Sequence, residues 1–133
     1  MANAAQDLHY DYIASTDHSY PNLDFEKRLK DIEDYNYSSR SLRVIKGLEV
    51  NITTEAKLQV SDKILSIHEF NTASIHSGFS QPTAKLTQRV LMALAHPLIS
   101  MLSHPTGRLL GERPGYELDW EMVFNAAQRY DKI

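Results

Sequence analysis

The sequence predicts an α/β fold built on a mostly parallel sheet. Two observations carry this expectation. Short β-prone runs alternate with segments of helical periodicity about four times along the chain. The 133 residues amount to one domain's worth of ordinary soluble composition, 42% hydrophobic and 23% charged.

The elements follow in order. Residues 2–9 read as the end of a helix, and YIAST (12–16) as a short strand. Pro21 and Asn22 break the chain. Asp24 caps a helix through about Tyr35, with Phe25, Leu29 and Ile32 on one face. EKRLKDIED (26–34) is its solvated side. LRVIKGLEVNI (42–52) is a strand, in which Gly47 predicts a bulge or a close backbone approach. KLQV (57–60) is a brief hairpin return, and Ser61 caps a short helix to about Ile67. FNTASI (70–75) is a strand made less apolar by Asn71 and Thr72. Pro82 or Thr83 opens a helix with Leu86, Val90, Leu91 and Leu94 on one face. LISML (98–102) is the next strand. Asp119 caps a last helix with Met122, Val123 and Ala126 inward, and Trp120 and Phe124 are expected in the core.

Net charge is −3, which argues against a strongly basic nucleic-acid grip. With no cysteine, disulfides and thiolate metal ligands are excluded. No apolar run approaches the ~20 residues of a membrane span. The N-terminus lacks the basic and apolar regions of a signal peptide. A cytoplasmic protein without membrane partners is expected.

The chemistry lies just after the strands. YIAST is followed by Asp17-His18, and Glu49 lies near the end of its strand. The third run is followed by His76, and LISML-Ser103 by His104. These positions recur at roughly 30 residues, about one βα unit each. In parallel β/α sheets and barrels, the strand C-terminal ends share one face, where ligands bind. Three imidazoles and a carboxylate should therefore converge. Such a set suits Mn, Zn, Fe or similar divalent ions, and a carboxylate can bridge two ions in a hydrolytic site. His9 and His68, near helix ends, and His96, before Pro97, read as structural. Arg108 after Thr106-Gly107 is a candidate phosphate ligand, or else an ion-pair partner of Glu112 or Glu117. Ser77-Gly78 offers an anion its backbone N–H groups or forms a plain turn.

The segments TDHS (16–19), KGLEVNI (46–52), SIHSGF (74–79) and SHPTGRLLGERPGYELDW (103–120) carry a family resemblance over nearly the whole chain. The chain resembles the PHP (polymerase and histidinol phosphatase) domain, in the form found at the C-terminus of bacterial and archaeal family-X DNA polymerases. The resemblance implies part of a distorted, TIM-like, seven-stranded β/α barrel with a cluster of divalent ions. It implies metal ligation by His18, Glu49, His76 and His104, with Glu49 bridging. Catalytic roles are expected for Glu49 and His76, and Arg108 is expected to steer substrate phosphate. The implied activity is metal-dependent phosphoester hydrolysis, namely 3′-to-5′ exonuclease and DNA 3′-end processing. The family's opening His-x-His and closing Asp-x-His are not found, and Asn51 stands where the family usually has Asp. Residues 1–133 are thus expected to be a PHP-type domain incomplete at both ends, prone to self-association through open sheet edges. Two alternatives stay open. One is a small-molecule phosphatase of the histidinol-phosphate type. The other is a non-catalytic remnant that serves as an interaction module.

Overall fold

The structure is a computed structural model that describes residues 1–20, 23–39 and 41–133. The expected break at Pro21 and Asn22 lies outside the described residues. Helix and strand alternate as α1 (Ala2–Asp7), β1 (Tyr12–His18), α2 (Phe25–Ser38), β2 (Arg43–Asn51), α3 (Asp62–Ser66), β3 (Phe70–Ser74), α4 (Thr83–Ala95), β4 (Met101–Leu102) and α5 (Trp120–Arg129). The strands form one parallel sheet in the order β1-β2-β3-β4.

Local chemistry sets the helix starts. The Asp24 carboxylate accepts the Lys27 N–H at 3.0 Å and starts α2. That helix runs to Ser38, three residues past the expected end, with Leu29 and Ile32 buried. Asp119 does the same for α5 through the Met122 N–H at 3.0 Å. Ser61 precedes α3 without a side-chain cap. α4 buries Leu86, Val90, Ala93 and Leu94, while Leu91 is only half-buried. In α5, Val123 faces the core, but Met122 and Phe124 are exposed. Phe124 instead stacks on the half-buried Trp120, with centroids 5.8 Å apart. The reason is helical geometry: the burying stripe runs through Val123, Ala126 and Ala127, and Met122 and Phe124 fall on either side of it.

β4 is shorter than LISML predicts, because the Ile99 N–H turns back to His96 O at 3.2 Å at the end of α4. KLQV returns as expected, through an antiparallel bridge between Ile52 and Leu58. Gly47 keeps a regular pairing with both neighbours, so it is a close approach and not a bulge. A Cβ there would lie 2.7 Å from Thr16 Cγ2 and 3.0 Å from Ser15 O.

The sheet has two unlike faces. Leu48, Val50, Ile52, Ala73 and Ile75 point to one side and pack with Leu65, Leu86, Val90 and Leu94 of the helices. The opposite side carries His18, Glu49, Asn51, Thr72 and Ser74. A strand order that never reverses puts successive right-handed crossovers on the same side. Of the expected part of a seven-stranded barrel, the described residues form an open four-stranded parallel sheet with β1 and β4 at its edges. Four strands are too few to close, since even about eight leave an interior only wide enough for side chains. Among the described residues the longest helix has 14 residues, and no helix there is long and apolar enough to cross a membrane.

Candidate metal centre

Register brings the site together. His18 on β1 lies opposite Glu49 on β2, and Glu49 lies opposite Thr72 on β3. In-register residues of parallel strands share a face, so these side chains rise side by side. Asp17 alternates to the other face and pairs with Arg28 of α2, which ties β1 to that helix.

Glu49 is the hub. Its Oε1 accepts the Ser74 hydroxyl at 2.9 Å and His104 Nε2 at 2.9 Å. His76 Nε2 stands 3.3 Å from the same oxygen, and His18 Nδ1 lies 3.7 Å from Oε2. Ligand atoms of His18, Glu49 and His76 fall within 4.8 Å of one another. His104 joins through Glu49 and through His76, whose ring centroid is 5.2 Å from its own. The His18 and His76 rings meet edge to face at 4.8 Å.

The loops after the strands aim these rings. The His76 N–H donates to Asn51 Oδ1 at 3.3 Å. The Ser103 N–H donates to Ala73 O at 2.9 Å and its hydroxyl pairs with Thr72 Oγ1 at 2.7 Å, so the approach to His104 is held to β3. His104 itself has φ 30°, a left-handed backbone that costs a non-glycine residue energy. The Gly107 N–H then closes the turn on His104 O at 2.9 Å.

The electrostatics suit a cation. The Glu49 side chain is 13% exposed at the base, whereas the imidazoles stand nearer the rim. Burial works against the Glu49 anion. Hydrogen bonds from Ser74 and His104 and the positive charge of the nearby imidazoles outweigh it, and its pKa lies below the ordinary value. Burial, aided by the other two histidines, lowers the His76 pKa despite Glu49. A neutral imidazole keeps a lone pair for a metal. An anionic carboxylate ringed by three imidazoles is a donor set that fits a divalent ion. A cleft of about 330 Å³ opens over Glu49 and His76, walled by His18, Tyr20, Asn51 and Gln59.

Arg108 is not brought to this group. It is exposed and lines a separate surface depression with Leu109, Glu112 and Arg113. Among the described residues it makes no ion pair with Glu112 or Glu117. His9, His68 and His96 all lie elsewhere. His68 is buried beside Phe25, and His96 pairs with Asp62 at 3.3 Å. A depression of about 680 Å³ at the N-terminal strand ends holds Arg43 paired with Glu69 and Lys46 with Glu33.

Two supporting residues escape a reading of the sequence. Ser74 looks like an ordinary strand residue. Its signal is the period-two run Thr72, Ser74, His76, which puts polar groups on one face. Arg89 sits inside the apolar stripe of α4 and is fully buried. Its guanidinium donates to Ile52 O at 2.5 Å, to Ser77 O at 3.0 Å and to Gln81 Oε1 at 2.9 Å. It thereby clamps the loop after β2 to the loop after β3. Ser77-Gly78 is the turn that this clamp holds. Gly78 has φ +67°, and a Cβ there would lie 2.6 Å from Thr54 Cγ2.

No family model matches the chain. The chain is similar to the DNA polymerase/3′-5′ exonuclease PolX of Bacillus subtilis (strain 168), with 34% identity over 137 aligned residues. The match covers 97% of this chain and 24% of that protein, so the chain spans about a quarter of the relative's length.

Proposed function

We propose that the chain is a PHP-type, metal-dependent phosphoesterase unit of the family-X polymerase kind, acting on DNA 3′ ends in the 3′-to-5′ direction. The observation that carries this reading is the convergence of His18, His76 and His104 on the Glu49 carboxylate from the ends of consecutive parallel strands. The similarity to a protein named for 3′-5′ exonuclease activity supports the choice of substrate. The one-sided sheet supports its reading as a sector of a larger, seven-stranded barrel. Its polar face carries the site.

In this reading His18, Glu49, His76 and His104 hold divalent ions, of which manganese, zinc and iron suit the donor set. Bound ions supply an activated water and neutralise charge that develops on the phosphate. The chain's own residues do the rest. Ser74 and His104 keep Glu49 ionised and oriented. Asn51 fixes the backbone of His76. Arg89 keeps the two loops at one distance.

The test joins ion binding with hydrolysis. Elemental analysis after dialysis should find at least one divalent ion per chain, since the four residues supply the three protein ligands that an open catalytic-type site needs. Glu49→Gln should lose it. A 3′-labelled oligonucleotide, run beside histidinol phosphate, should be shortened from the labelled end in a manner that His104→Ala abolishes. A chain that binds no ion, or equal hydrolysis by both variants and the unmodified protein, would overturn the reading.

A further inference from the structure

Tyr20 stands at the mouth of the cleft above Glu49 and His76 with 64% of its surface exposed. Its ring lies 5.4 Å from the His18 ring at a tilt of 55°. The contact fixes its place beside the imidazole cluster and leaves most of the ring open. An exposed aromatic ring thus stands beside a partly buried carboxylate. Two amides, Asn51 and Gln59, also line this cleft. Asn51 Oδ1 accepts the His76 N–H, so its Nδ2 donors are turned away from that bond. Gln59 is exposed and anchored through its backbone N–H, which donates to Asn51 O at 3.0 Å.

We propose that this cleft is a nucleobase subsite, in which Tyr20 stacks on the base of the terminal nucleotide while its phosphate faces the Glu49 cluster. The inference rests on the phosphoesterase reading and names what that site recognises besides phosphate. A π-face flanked by amide donors and acceptors is the chemistry that binds a single unpaired base. A volume of about 330 Å³ admits one base and no duplex. Stacking accepts every base, because each has a π-face. Asn51 and Gln59 can bond a base edge and impose a preference weaker than stacking. Tyr20 is accordingly a specificity residue: it separates nucleotides from sugar phosphates and takes no part in bond cleavage.

The test is binding, measured by calorimetry on the unmodified chain with manganese present. The probes are deoxyadenosine 5′-monophosphate, which such hydrolysis would release, and 2-deoxyribose 5-phosphate, which lacks the base. The nucleotide should bind about tenfold more tightly than the sugar phosphate, in line with the effect of one aromatic stack. Tyr20→Ala should erase that difference and leave sugar phosphate binding unchanged, while Tyr20→Phe should keep it. Gln59→Ala should weaken only the nucleotide, by about twofold to threefold, as for one exposed hydrogen bond. Equal binding of the two probes by the unmodified chain, or no effect of Tyr20→Ala, overturns the subsite and leaves the phosphoesterase reading intact. Failure of both probes to bind overturns the two together.

Discussion

Ser74 donates its hydroxyl to Glu49 Oε1 at 2.9 Å from a position two residues beyond the one that faces Glu49 across the sheet. The bond is a diagonal one between neighbouring strands. It holds the partly buried carboxylate in the orientation that His76 and His104 share. Ser74→Ala removes a donor without changing the strand. The protein should stay folded and lose roughly 10–100-fold in divalent-ion affinity, the usual cost of a lost supporting contact. Calorimetric titration of manganese into both proteins measures it. Unchanged affinity would show that the histidines alone orient Glu49.

Arg89 predicts a loss of stability of another kind. Replacement by Met strands Ile52 O in the interior and leaves Ser77 O and Gln81 Oε1, which are partly buried, without this donor. The expected cost is about 2–4 kcal/mol, since buried acceptors are left unmade. Lysine should recover only part of it, because one ammonium cannot span both loops as the guanidinium fork does. Urea unfolding of Arg89→Met and Arg89→Lys reads the order. A lysine variant as stable as the unmodified protein would remove the clamp from this account.

Asn36 completes the sheet where β3 has not yet begun. Its side chain donates to Val44 O and accepts from Val44 N–H, both at 2.8 Å, as a strand neighbour would. Asn36→Asp keeps the acceptor but sets a carboxylate against a carbonyl. Asn36→Leu loses both bonds. Each should cost about 1–3 kcal/mol by leaving buried backbone groups unpaired. Thermal unfolding with no change in melting temperature for either variant would contradict this.

His68 makes stability depend on pH. Its Nδ1–H donates to Ile64 O at 2.8 Å, and the buried Nε2 has no acceptor among the described residues. A second proton would therefore sit unpaired in the interior. Burial lowers the pKa, with Arg28 and Lys46 adding to it against the Ile64 bond. The unfolded chain then binds more protons than the folded one below about pH 6.5, the free-histidine value. Stability should be level above that pH and fall as the pH drops through this window, with His76 acting in the same direction. His68→Gln should flatten part of the slope between pH 7 and 5.5 in urea unfolding. A slope identical to that of the unmodified protein would acquit His68.

The sequence by itself determined the alternation of strands and helices, the caps at Asp24 and Asp119, and the places where His18, Glu49, His76 and His104 leave the sheet. Those features are local: they follow from periodicity, capping chemistry and the change from apolar run to loop. Only the tertiary structure decided which oxygen of Glu49 the imidazoles share, and that Arg108 stays apart from them. It also decided that Ser74, Arg89 and Asn36 support the site and sheet, and that Tyr20 overlooks the cleft. These depend on register and on which side of a strand or helix meets which loop. Such relations link residues such as Arg89 and Ile52 or His104 and Glu49, which are distant in sequence. The open sheet belongs to the same class. Local pattern makes each strand, but closure depends on how many strands pair, and four cannot complete a ring.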